Sequence, residues 1–82
     1  MRSDESLYRA ERVRKAIASE PGVCELGIEV EIVGERVVLR GTVTSERRRE
    51  QVLALVVRLC PDLEIDDEIR VEVLRDPKSE PV

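Results

Sequence analysis

From Ile28 to Val43 the chain reads Ile-Glu-Val-Glu-Ile-Val-Gly-Glu-Arg-Val-Val-Leu-Arg-Gly-Thr-Val. Ile28, Val30 and Ile32 alternate with Glu29 and Glu31. Val37, Leu39, Gly41 and Val43 alternate with Val38, Arg40 and Thr42. Period-two patterning marks strands with one buried and one wet face, and Gly34-Glu35 between the runs predicts a hairpin turn. Val-Gly-Glu-Arg is not among the strongest two-residue turn signals, so the turn type stays open. An isolated hairpin is only marginally stable in water, so its apolar face needs a cover from the flanking segments.

Those flanks have helical spacing. Over Ser6 to Ser19, Leu7, Ala10, Val13 and Ile17 form one stripe, and Pro21-Gly22 stops the run. Ser45 suits the cap of a second helix from Glu46 to about Cys60, before Pro61. Val52, Leu53, Val56, Leu59 and Cys60 share its inner face, and Leu55 and Val57 widen the apolar arc to about 200°. A helix covering one sheet needs only about 100°, which makes Leu55 and Val57 candidates for a partner contact. A last strand is expected over Ile69 to Leu74, with Ile69, Val71 and Val73 inward. Residues 1–6 are expected to be a flexible lead, 7–74 the domain, and 75–82 a polar, proline-marked tail.

The order helix, strand, strand, helix, strand predicts an α+β fold, a two-layer sandwich with two helices on one face of a three-stranded mixed sheet. The hairpin makes the first two strands antiparallel. A right-handed crossover makes the third parallel to the second; strand order is left open. At 82 residues one core is the limit, burying roughly 60–65% of the unfolded surface. Tyr8 is the sole aromatic residue, so that core is aliphatic. Cys24 and Cys60 fall at opposite ends of this layout, about 20 Å apart at 3.3 Å per strand residue. That excludes a disulfide and predicts buried or inert thiols.

Composition narrows the chemistry. Charged residues make up 39% of the chain and the net charge is −4, which disfavours nonspecific attraction to nucleic acid; stacking aromatics for single strands are also lacking. The chain has no His to act as a base, and neither Cys sits in an activating motif, so no catalytic residue, cofactor or metal site is expected. Asp62, Glu64, Asp66, Asp67 and Glu68 lack the spacing of a calcium loop and are expected to form a solvated connector. On the open sheet face, Glu29 and Glu31 suit cross-strand ion pairs with Arg40 and Arg70. The start of the sequence has no secretory apolar run, so a cytoplasmic location, membrane-peripheral at most, is expected.

Arg47, Arg48 and Arg49 are three consecutive cations in the first turn of the second helix, where the dipole disfavours positive charge. Either Glu46 and Glu50 balance them as a solvated turn, or an anion held there with the exposed helix amides offsets the cost.

The stretch Val37-x-Leu39-x-Gly41-Thr42-Val43-x-Ser45, followed by a helix and an alternating strand, resembles the BON domain of bacterial osmotic-shock and nodulation proteins, over about Leu7 to Leu74. Leu39, Gly41 and Val43 are the motif's structural positions, and Cys60-Pro61-Asp62-Leu63 departs from the Pro-Gly-Val that many members carry after the second helix. The resemblance implies a non-catalytic module that binds phospholipid surfaces or mediates envelope-associated interactions, often in tandem copies. Two partner classes are therefore expected. One is an anionic membrane surface met by Arg47, Arg48 and Arg49; the other is a protein partner, or a second copy, met through Leu55 and Val57 on the second helix or through the sheet edge.

Overall fold

The computed structural model describes residues 2–73. Helix α1 spans Arg2–Ser19, strand β1 Glu29–Val33, strand β2 Arg36–Val43, helix α2 Glu46–Leu59 and strand β3 Glu64–Val71. The sheet order is β1-β2-β3, with β1 antiparallel and β3 parallel to β2. This is the expected α+β sandwich, with the hairpin strand β2 in the centre. Helix α1 packs mainly over β1, and α2 over β3 and β2.

One aliphatic core joins the layers: Val13 and Ile17 from α1, Val52, Leu55 and Val56 from α2, and Ile28, Val37, Leu39, Val43 and Ile69 from the sheet, with Val23 and Cys60 closing its sides. Each fully buried aliphatic side chain contributes about 1.5–3 kcal/mol of transfer free energy. Helix α1 starts at Arg2, not at Ser6, because no Pro or Gly interrupts the sequence before Ser19. Its end is closed by the turn that follows, where Val23 N–H and Cys24 N–H donate to Glu20 C=O (3.0 and 3.1 Å) and Glu25 N–H donates to Ile17 C=O (3.0 Å). Gly22 takes φ +88° there, and Cys24 takes φ +45°.

Between β1 and β2 the turn is Gly34-Glu35, with φ +61° at Gly34 and no positive φ at Glu35. Glycine at the first central position with a positive φ is the pattern of a type II′ turn, which matches the twist of hairpin strands. The family-motif glycine, Gly41, has a different reason to be glycine. Its φ is +149°, and a Cβ there would lie 2.5 Å from the Gly27 carbonyl oxygen and 3.0 Å from Ile28 Cδ1. The segment entering β1 therefore runs tightly against the end of β2, and only a residue without a side chain fits between them.

Several expectations fail for identifiable reasons. The third strand begins at Glu64, five residues early, so Glu64 to Glu68 are not a solvated connector but strand residues paired in parallel with Arg36 to Arg40. Asp67, opposite Leu39, occupies an inward position there and disguised the alternation. Val73 lies beyond the strand and is exposed, and Leu74 and the tail lie outside the described residues. Leu7 is 68% exposed: α1 covers the edge strand β1, and Leu7 lines an open groove beside Val30 and Ile32. Leu55 is only 4% exposed and belongs to the core cluster that includes Val23, so it cannot meet a partner; the turn after α1 covers the side of α2 that was expected to be free. Both cysteines are free, as expected, but only Cys60 is buried. Cys24 sits on the surface turn, its thiol donating to Glu20 C=O at 3.4 Å.

Candidate functional site

Helix α2 begins where the sequence places it. Ser45 is extended (φ −157°, ψ 158°), and its hydroxyl oxygen accepts the Arg48 N–H at 3.2 Å, satisfying one of the four amides a helix start leaves open. Glu46 puts one negative charge in the same turn. The three arginines share this turn yet have different surroundings. Arg48 donates from Nη1 to Glu25 Oε2 at 2.9 Å. Arg49 pairs with Glu46 and, through Nη2, reaches Asp67 Oδ2 at 2.7 Å. Arg47 is exposed and forms no ion pair among the described residues.

The Arg49–Asp67 pair is the most enclosed ion pair of the described residues, with side-chain exposures of 29% and 20%. It seals the sandwich where the start of α2 meets the inner face of β3. Sequence reasoning missed both Glu25 and Asp67 as arginine partners. Glu25 lies in a turn that no local pattern orients. Asp67 had a visible signal, a single acidic residue between Ile65 and Ile69 at period-two spacing.

The open sheet face carries a lattice of charge. Arg40 pairs with Glu68 at 2.9 Å and Glu31 at 3.3 Å, and Arg36 pairs with Asp66 at 3.5 Å. The two diagonal pairs flank Val38, which is 7% exposed despite standing on the wet side; the stems of long charged side chains cover apolar surface in this way. Glu31 thus finds Arg40 as expected, while Glu29 and Arg70 take no part in these pairs. At the other end of the fold, Arg9 binds Asp62 with two parallel hydrogen bonds (2.6 and 3.1 Å), tying α1 to the α2–β3 loop. The Arg9 hydrogen bond holds the Asp62 carboxyl below its ordinary value, and the bond from Arg14 does the same for Glu11.

Among the described residues no group of three or more His, Cys, Asp or Glu is placed to hold a metal ion, and no helix is long and apolar enough to cross a membrane. The described residues form an α+β domain of two helices backed by a three-stranded sheet, with three consecutive arginines in the first turn of α2. Residues 8–73 match the BON domain family, so the chain belongs to that family of non-catalytic binding domains. No curated protein matches it significantly.

Proposed function

We propose that this chain is a non-catalytic binding module that associates weakly with anionic phospholipid surfaces through the first turn of α2. The observation that carries the reading is Arg47, an exposed cation with no carboxylate partner among the described residues, beside Arg48 and next to the open amides of a capped helix start. A lipid phosphate at this turn offsets the unfavourable placement of cations at the positive end of the dipole. Each basic residue near an anionic surface contributes about 1 kcal/mol, so one copy binds loosely and firm attachment requires several copies acting together.

Arg48 and Arg49 already hold carboxylates, so Arg47 supplies most of the attraction. Flotation with phosphatidylcholine vesicles, with and without phosphatidylglycerol, tests this at low and physiological salt. Binding is expected on anionic vesicles only, weakened about fivefold by Arg47→Gln and little further when Arg48→Gln is added. Unchanged binding in the Arg47/Arg48/Arg49→Gln triple variant overturns the assignment.

A second reading, self-association through α2, is favoured by Val57, which is 53% exposed on that helix. Sedimentation showing a concentration-dependent dimer that Val57→Glu abolishes supports it, and a monomer at all concentrations removes it.

A further inference from the structure

The two edges of the sheet are built differently. Glu64 N–H donates to Glu35 C=O and Glu72 N–H to Val43 C=O, so the odd-numbered residues of β2 bond to β3. Backbone groups alternate sides along a strand, so Arg36, Val38 and Arg40 bond to β1. Their partners are Val33, Glu31 and Glu29. The intervening Val30 and Ile32 therefore turn their N–H and C=O groups to the free edge. By the same alternation Ile65, Asp67, Ile69 and Val71 face the other edge, but there the Asp67 carboxylate accepts the Ile69 N–H at 3.0 Å and is itself held by Arg49. An inward-pointing charge that occupies an edge amide is a device that blunts a strand against further pairing. Among the described residues strand β1 has no such guard.

Beside that unguarded edge lies a groove of about 570 Å³, lined by Leu7 and Ala10 of α1, by Val30, Glu31 and Ile32, and by Gly34. A strand added to β1 places every second side chain in this groove, against Leu7, Val30 and Ile32. The other side chains fall on the wet face, next to Glu29 and Glu31. A second copy of β1 is a poor occupant. Pairing through Val30 and Ile32 sets Glu31 opposite its own counterpart, and like charges directly opposite destabilise a sheet. Charge complementarity calls for Lys or Arg at those positions.

We infer that the β1 edge, with the groove under α1, is a docking site for an extended segment of a partner protein that alternates apolar and basic residues, bound by strand addition. This surface is separate from the arginine turn, and its test is independent of membrane binding.

The probe is an acetylated, amidated seven-residue peptide alternating Lys and Val, titrated into the folded protein at physiological salt and followed by backbone amide NMR. Two controls are a peptide alternating Glu and Val, and one with the same Lys and Val content in two blocks. Saturable binding by the alternating basic peptide alone is expected, with slowed hydrogen exchange at the Val30 and Ile32 amides. Ile32→Pro removes an edge donor without touching a bond to β2 and should weaken binding at least tenfold. Leu7→Ser, at an exposed position with no part in the core, should weaken it severalfold, so the test stands even if the proline variant fails to fold. Glu29→Lys with Glu31→Lys should transfer the preference to the acidic peptide.

The proposal is overturned if no peptide saturates, if the blocked or acidic peptide binds the wild type equally well, or if the shifts fall away from β1. Undiminished affinity in Leu7→Ser together with a folded Ile32→Pro overturns it as well, and so does a dimer of the protein itself that occupies this edge.

Discussion

Replacing Gly41 with Ala adds one methyl group and should cost more than almost any other single change of that size in this chain. Two separate terms contribute. A backbone at φ +149° lies where residues with a Cβ are strained, at a cost of about 1–3 kcal/mol. The new Cβ also lies 2.5 Å from the Gly27 carbonyl oxygen, a backbone atom that cannot swing aside, and overpacking of this kind costs about 1–3 kcal/mol. Together they remove about 2–6 kcal/mol from a domain whose whole stability is about 4–12 kcal/mol at its length. Two other glycines separate the terms. Gly34, at φ +61° with nothing near its missing Cβ, carries the backbone term alone and should lose about 1–3 kcal/mol as Ala. Gly27 has open space and no positive φ, so Ala there is neutral or gains about 0.4–1 kcal/mol from the unfolded state. Urea titration followed by far-UV circular dichroism gives all three values, and thermal midpoints should fall by about 4–8 °C per kcal/mol. The reasoning is refuted if Gly41→Ala stays within about 0.5 kcal/mol of the wild type, the usual range of an indifferent surface change, or if Gly34→Ala is the worse variant.

Further outcomes follow from burial and charge. Leu55→Ala should destabilise by about 2–5 kcal/mol, whereas Val57→Ala on the exposed side of the same helix should stay within about 0.5 kcal/mol; the same urea titration measures both. Native protein should offer one fast-reacting thiol to Ellman's reagent, that of Cys24, and denatured protein two, because Cys60 is buried in the core. Asp62 has a carboxyl that folding holds below its ordinary value of 3.8, so its pairing with Arg9 stabilises the fold above that pH. The contribution disappears as pH falls through the lower, folded-state value. The stability difference between wild type and Asp62→Asn, measured by urea titration at several pH values, should therefore be constant from pH 7 to about 5 and shrink towards zero in stronger acid.

Much of the fold could be read from the sequence because local and tertiary demands agree there. The hairpin alternation, Gly34 at the turn, Ser45 at the cap and Pro61 after α2 each act within a few residues, and they place β1, β2 and α2 closely. What was not legible depends on partners distant in sequence. The Glu64–Glu68 stretch has connector chemistry by composition, and it is a strand only because β2 offers a free side and Arg49 neutralises the inward Asp67. Leu7 fits a core stripe by spacing, yet among the described residues no strand lies beyond β1 to cover it. Leu55 belongs to an overly wide apolar arc until the turn at Val23 closes on it. Of the candidate site, the position of the arginines on a helix start could be read directly, but that Arg48 and Arg49 already have carboxylate partners could not, since Glu25 and Asp67 lie 18 or more residues away.

The side chain of Asp67 also sets how many molecules can be chained together. A sheet with two open edges is divalent and can propagate into a filament, each copy templating the next. Among the described residues the β3 edge is stoppered at Ile69 by Asp67 and Arg49, so each copy of the sheet offers one open edge, and pairing of copies through β1 would stop at two. Asp67→Val would leave Arg49 without its inner partner and also give the protein a second, aliphatic edge. The added hazard of that substitution is therefore open-ended growth as well as lost stability.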